Sequence, residues 1–384
     1  MRNALVLFGV ASLVGVLGVT GARAEAAAAF DSDQWTFRAA AATVEEKAGR
    51  RSLFLRSGHA YLGDVAFADG WLEVDVLAPR QRTFAGVVFR VVSEGNQEKV
   101  YLRPHKSGLD DALQYEAVFD GSTTWQLYSA PTYMRPLEIP KEEWVRLRIV
   151  YSGLEAKVYW NQAPEPAMVV PDLKRDWARG GIGLWAGPAG AWFANLRYGT
   201  APGPETPPPP RPEPALHPGT VRRWELSEIF DADESLPEAV PAIAAWQSVP
   251  VEAPGLLVID RYRRSSSVLP PSMDFGKRLE RSPGRKLVYA RAVVDSPRDQ
   301  VRRLALGYSD EACVFLNGRI LFRGRSGFRF RDPGFMGVLD LEDDAVYLPL
   351  RAGRNELVVA VAEHFGGWGL AARFDDPEGL KLPR

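Results

Sequence analysis

The chain has 384 residues with 47 Lys and Arg against 48 Asp and Glu, a formal charge of −1. That balance, with a pI near 6.5, argues against nucleic acid or an anionic membrane surface as partner. One cysteine, Cys313, permits no internal disulfide, so any folded module must be held by its apolar core.

Residues 1–24 read as a secretory signal: Arg2, an apolar run over Ala4–Val19, and a small-x-small site at Ala22-Arg23-Ala24. A retained membrane anchor is the alternative; with cleavage, no membrane association is expected. Cys313 lies far from the cleavage site, which excludes a bacterial lipoprotein anchor. The expected location is periplasmic or extracellular.

Residues 25–200 hold short strand-like runs separated by turn residues. Ser52–Leu55, Trp71–Leu77, Ala85–Val92, Lys99–Arg103, Trp144–Tyr151 and Ala156–Trp160 are examples. In WVRLRIVY, Val145, Leu147 and Ile149 share one face and Arg146 and Arg148 the other, the period of a half-buried antiparallel strand. Many such strands without helical periodicity predict a two-sheet sandwich.

The densest polar constellation is YLRPHKSGLDDALQY, with Arg103, His105, Lys106, Asp110, Asp111 and Gln114 before Tyr115; Trp125 follows in TTWQLY. Sugars are held by an aromatic ring on their C–H face and by planar polar groups on their hydroxyls, and both ingredients are here. The competing reading is a loop whose Arg–Asp and His–Asp pairs hold only its own shape. Trp71–Ala78 carries Glu73 and Asp75, two of the three acids of a Glu-x-Asp-x-x-Glu glucanase strand, but Ala78 stands in place of the last. A lone Glu/Asp pair of this kind is expected on a solvated face.

Residues 201–218, APGPETPPPPRPEPALHP, should form a stiff extended spacer that holds two globules apart. Residues 219–384 carry a second set of strands: Lys286–Val294, Arg302–Tyr308, Ala312–Leu316, Arg319–Gly324, Ala345–Leu350 and Asn355–Glu363. Asn317-Gly318 between two of them predicts a two-residue type I′ hairpin. Cys313 is expected as a small buried hydrophobe. Trp368, set among glycines in FGGWG, is either a stacking platform or a plug for one end of the sandwich, the plug being preferred.

The order DGWLEVDVL, FAGVVFRV, EEWVRLRIVYSGLEAKVYWN and GGIGLWAGPAGAWFANLRY resembles the concanavalin A-like jelly roll. Within that fold it is similar to the 3-keto-disaccharide hydrolase or laminin-G-like domains of secreted bacterial proteins. The hydrolase members' Asn-Ser-Gly is replaced here by Arg82-Thr83-Phe84-Ala85-Gly86, and their Gly-x-Glu-x-Gln is not matched, so no catalytic assignment carries over. SDEACVFLNGRILFRG with VYLPLRAGRNELVVAVAE resembles the galactose-binding-like jelly roll of glycosidase accessory domains. The resemblance implies a fold; its hairpin residues are structural.

No Gly-x-Ser-x-Gly elbow and no paired histidine spacing occur, so neither a serine hydrolase nor a zinc site is expected. No cofactor is implied. A structural Ca2+ is left open at Asp110–Asp111 and Glu342–Asp344. The expectation is an exported, non-catalytic carbohydrate-binding protein of all-β class, two jelly-roll sandwiches on a Pro-rich linker, with a glycan partner at Arg103, His105, Asp111, Gln114, Tyr115, Trp125 and Trp368. The alternatives are a glycosidic-bond hydrolase acting through the first module and an adaptor for another exported protein.

Overall fold

A computed structural model describes residues 25–201, 204–232, 235–264 and 285–383. The signal reading of residues 1–24 lies outside these. The described residues are all-β, with two short 3-10 turns at Pro104–Lys106 and Ile259–Arg261, and build two β-sandwich modules. No helix among them is long and apolar enough to cross a membrane.

The first module is one antiparallel sheet folded over on itself. Its path runs Met168–Val170, Glu155–Trp160, Trp144–Ser152, Gly70–Leu77, Ala191–Thr200, Arg50–Phe67, Gly180–Ala186, Ala85–Ser93, Asn96–Leu102, Leu113–Phe119 and Ser122–Thr123. The long strand Arg50–Phe67 is the fold line. Leu53–Leu55 pair with Ala191–Phe193, whereas Gly58–Leu62 pair with Ile182–Ala186. The turnover falls at Ser57 and Gly58, both at positive φ, and a Cβ on Gly58 would run into the backbone of Arg38 and Ala39. Val145, Leu147, Ile149 and Tyr151 point into the core while Arg146 and Arg148 lie half-exposed outside, as the alternation demands. Trp35–Lys47 pairs along nearly the whole of the fold-line strand, although its Ala-rich, EEK-ended sequence carries few strand signals.

The second module packs a seven-stranded sheet against a four-stranded one around Trp224, Tyr308, Trp368 and Phe374. Asn317 and Gly318 both sit at positive φ, which the type I′ turn requires. Cys313 is buried.

The two modules are not held apart. An apolar cluster joins Ala117, Phe119, Leu127 and Tyr128 of the first to Leu256 and Val258 of the second. The backbone of Gln126 donates to Gly366 O and accepts from Leu339 N, each at 3.0 Å, and Tyr128 Oη donates to Glu252 at 3.0 Å. Gly367 and Gly369 lie where a Cβ would collide with Leu127, so these glycines let the first module approach. The Pro-rich stretch does not stand free either. Glu205 accepts from Ala68 N at 2.6 Å, and Arg211 Nε donates to Asp172 at 2.9 Å, strapping it to the first module. A stiff rod has little entropy to lose when it lies on a surface, so the composition that suggests a spacer also favours a strap.

Candidate functional site

Pairing places two rows of side chains on the outer face of the first module's sheet. Trp185 lies opposite Gly86, Gly86 opposite Tyr101, and Tyr101 opposite Gln114. One rung along, Val88 faces Lys99 and Lys99 faces Glu116. The opposite face of the same strands, Val87, Val100, Leu113 and Tyr115, is core. Gly86 is needed in its row, because a Cβ there would strike Tyr101. With no side chain between them, Trp185 and Tyr101 meet edge to face at 5.4 Å.

Above this face the junction forms a half-open cavity of about 160 Å3. Phe84, Tyr101, Trp125 and Trp185 give it aromatic walls from the first module, and Phe328, Met336 and Phe365 close it from the second. Trp125 meets both rings of the second module, with centroids 5.7 Å from Phe365 and 6.3 Å from Phe328. Lys99 and Glu116 form a buried ion pair in the floor, and Lys99 Nζ sits 3.8 Å over the Trp185 ring. Arg103 donates to Gln114 at 2.9 Å and to Asp111 at 2.5 Å, while Tyr101 Oη donates to the same Gln114 oxygen at 2.7 Å. Burial, and then the Glu116 carboxylate, hold the Tyr101 phenol well above its ordinary range, so it remains a donor.

Of the residues singled out from sequence, Arg103, Gln114 and Trp125 are at or against the cavity, and Asp111 orients Arg103. His105 packs on Phe84 with Nδ1 3.0 Å from Thr83 O. Burial, then Arg103 and Arg82, press its pKa down to about 4, so it is neutral at pH 7 and carries no proton to give as a general acid. Two assignments are corrected. Tyr115 points into the opposite, core face, where its hydroxyl donates to Glu98 at 2.7 Å and accepts from Lys174 N. Trp368 is fully buried with Nε1 donating to Val361 O at 3.1 Å, so the plug is the role the structure gives it.

Phe84, Lys99, Glu116, Trp185 and Phe365 escaped the sequence reading. For Lys99 and Glu116 a signal existed: alternation in KVYL and LQYE puts them on the face that carries Tyr101 and Gln114.

Phe365 is aimed by three buried carboxylates beneath its turn. Asp310 accepts from His364 N and Phe365 N at 2.8 Å each, Glu363 from Gly367 N at 3.1 Å, and Asp260 from Trp368 N at 2.7 Å. Burial raises all three, Asp310 to about 6 and Asp260 to about 7.

Glu73 and Asp75 lie in the other half of the folded sheet. They are buried, not solvated: Asp75 accepts from Arg50, Arg146 and Asn195 at 2.5–2.9 Å, and Glu73 from Arg197 at 2.5 Å. The loop acids considered for Ca2+ do not fit one. Asp111 is bound by Arg103, and Asp344 accepts from Arg331 at 2.5 Å and Tyr308 at 2.8 Å, so cationic or hydroxyl donors fill the positions a metal would need. Among the described residues no three His, Cys, Asp or Glu side chains are grouped to hold a metal.

No family model matches the chain, and no curated protein matches it by sequence. Among solved structures it is similar to a carbohydrate-binding module of Bacillus subtilis (CBM66), with 16% identity and a TM-score of 0.34 over 44% of this chain and 96% of that one. A β-1,3-1,4-glucanase (lichenase) derived from a mouse hindgut metagenome matches at 12% identity and TM-score 0.35, over 46% of this chain and 99% of that one. A family 35 carbohydrate-binding module from an environmental isolate matches at 15% and 0.19, over 25% and 69%. A role has to be read from the site's own side chains.

Proposed function

We propose that this chain binds carbohydrate in the aromatic cavity between its two modules and does so without catalysis, as an exported protein. The observation that carries the reading is the joint placement of Trp185, Tyr101, Phe84 and Trp125 around the planar guanidinium of Arg103, which Gln114 holds from behind. Rings supply an apolar face for sugar C–H groups, and the guanidinium supplies directed hydrogen bonds for hydroxyls. A glycosidase needs two carboxylates placed about 5–9.5 Å apart across the bond, one of them free to hold a proton. Among the described residues Glu116 is the one carboxylate lining this cavity, and Lys99 holds it in an ion pair.

The test is a glycan-array screen of the mature protein followed by calorimetry on the strongest hit. Trp185→Ala should weaken binding at least tenfold while the protein stays folded by circular dichroism. Binding unchanged in that variant would remove the cavity from the reading. Release of reducing sugar from the bound glycan, abolished by Glu116→Gln, would transfer the site to hydrolysis.

A further inference from the structure

The turn that closes the cavity from the second module is built over three buried acids. Asp260, Asp310 and Glu363 are 3%, 1% and 0% exposed, and none of them is in an ion pair among the described residues. Each spends an oxygen on the backbone of this turn: Asp260 on Trp368 N, Asp310 on His364 N and Phe365 N, Glu363 on Gly367 N. Asp260 Oδ1 and Glu363 Oε2 are buried without a hydrogen-bond partner, and Glu363 feels both other acids as like charges. A buried carboxylate that no cation answers is expensive, and such groups escape the cost by holding a proton.

The surroundings give little relief. Ser122 of the first module favours the charged form of Asp260, and Ser309 donates to Asp310 at 3.3 Å. His364 is the imidazole near Asp310, but its ring meets Glu311 and Arg285 at 3.3 and 3.2 Å. Glu311 is held by Arg285 and Arg325, and Arg261, beside Asp260 in sequence, pairs with Glu252.

The same turn carries the junction. Phe365 meets Trp125, Gly366 O accepts from Gln126 N, and Gly367 and Gly369 lie against Leu127. Ser309 Oγ, which reaches Asp310, also donates to Gln126 Oε1 at 3.2 Å. The acids and the contact between modules are therefore one construction, and whatever disturbs the carboxyls moves the residues on which the first module rests.

We propose that docking of the two modules is proton-coupled. With protons on Asp260, Asp310 and Glu363, the turn 363–369 seats Phe365 and Gly366 against the first module; ionisation of these carboxyls releases the turn and opens the cavity. The direction follows from burial, which raises all three above their ordinary range, Asp310 to about 6 and Asp260 to about 7. Water reaching an opened turn returns Asp260 towards 3.8, so opening sheds protons. Docking from this group is full below about pH 4 and is lost as pH rises through 7. The coupling needs no ligand, so it stands or falls apart from the carbohydrate reading.

Hydrogen exchange on the full mature chain, without ligand and corrected for the pH dependence of the chemical rate, is the test. From pH 5 to pH 8 the protection of segments 124–128 and 363–369 should fall about tenfold or more, while that of segments 144–152 and 290–296 holds. Asp260→Asn and Glu363→Gln keep an oxygen for the turn and cannot ionise, and each should shrink that fall about threefold or more. Equal protection at the two pH values overturns the proposal. A fall shared by segments 144–152 and 290–296 is global unfolding and overturns it too, as does a fall left intact in both variants. The wild-type comparison decides even where a variant fails to fold. A glycan array without a hit overturns the carbohydrate reading and leaves proton-coupled docking standing.

Discussion

The backbone N–H of Gln126 meets the carbonyl of Gly366 at 3.0 Å, and that bond fixes how the two modules share a cavity. Gly366 sits at φ +99, and a Cβ there would press into the Gln126 side chain. Gly366→Ala should therefore strain the turn and push the modules apart at once, at a cost of about 1–3 kcal/mol. Differential scanning calorimetry should show a lowered Tm, and limited proteolysis should open the 201–218 strap sooner than in the wild type. A Tm and cleavage pattern like the wild type's would mean that the modules do not depend on this contact.

Lys99 and Glu116 form a fully enclosed ion pair, so removing one partner strands the other charge. Lys99→Met alone should destabilise by about 3–5 kcal/mol, and Lys99→Met with Glu116→Leu should recover most of that loss. Urea denaturation of the two single variants and the double variant measures the coupling; additive losses would deny that the pair acts as a unit.

Asp260 gives a pH dependence whose sign runs against ordinary acid denaturation. Its folded pKa, near 7, lies above the unfolded value of 3.8 because burial penalises the carboxylate. The folded state thus holds the extra proton between these values, and stability from this group is full below about pH 4 and declines as pH rises through 7. Asp260→Asn keeps an oxygen for Trp368 N and has nothing to ionise. The Tm difference between pH 5 and pH 8 should be smaller in the variant than in the wild type, and an unchanged difference would rule Asp260 out as its source.

His105 contributes with the opposite sign. Its folded pKa of about 4 lies below the unfolded 6.5, so the unfolded chain takes up the proton first as pH falls. Stability from this group is intact above about pH 6.5 and is lost as pH drops through 4. His105→Gln should flatten the Tm profile between pH 6.5 and 4 relative to the wild type, with no change at pH 8.

Trp368 and Trp185 separate structure from binding. Trp368→Ala empties the centre of the second core and should cost about 3–5 kcal/mol. Trp185→Ala should cost far less, because its ring is only half-buried, and should show itself in glycan affinity. Equal Tm losses in the two variants would contradict this division.

The all-β class, the strand faces and the Asn317-Gly318 hairpin were legible because they are local: alternation in WVRLRIVY and positive φ in a two-residue turn need no distant partner. Arg103, Asp111 and Gln114 were legible as a group for the same reason, being eleven positions or fewer apart in one strand–loop–strand. Tyr115 was misplaced by a single step of that alternation, which sends neighbours to opposite faces. What composition could not show was which faces meet across the chain. Trp125 touches Phe365, Phe84 lies against Trp185, and Arg82 feels Arg329, all through long-range pairings that only the folded sheet and the docked modules bring about. The proline run illustrates the division: its stiffness is written in residues 201–218, but whether a stiff segment stands free as a spacer or lies strapped to the first module depended on Glu205 finding Ala68 and Arg211 finding Asp172.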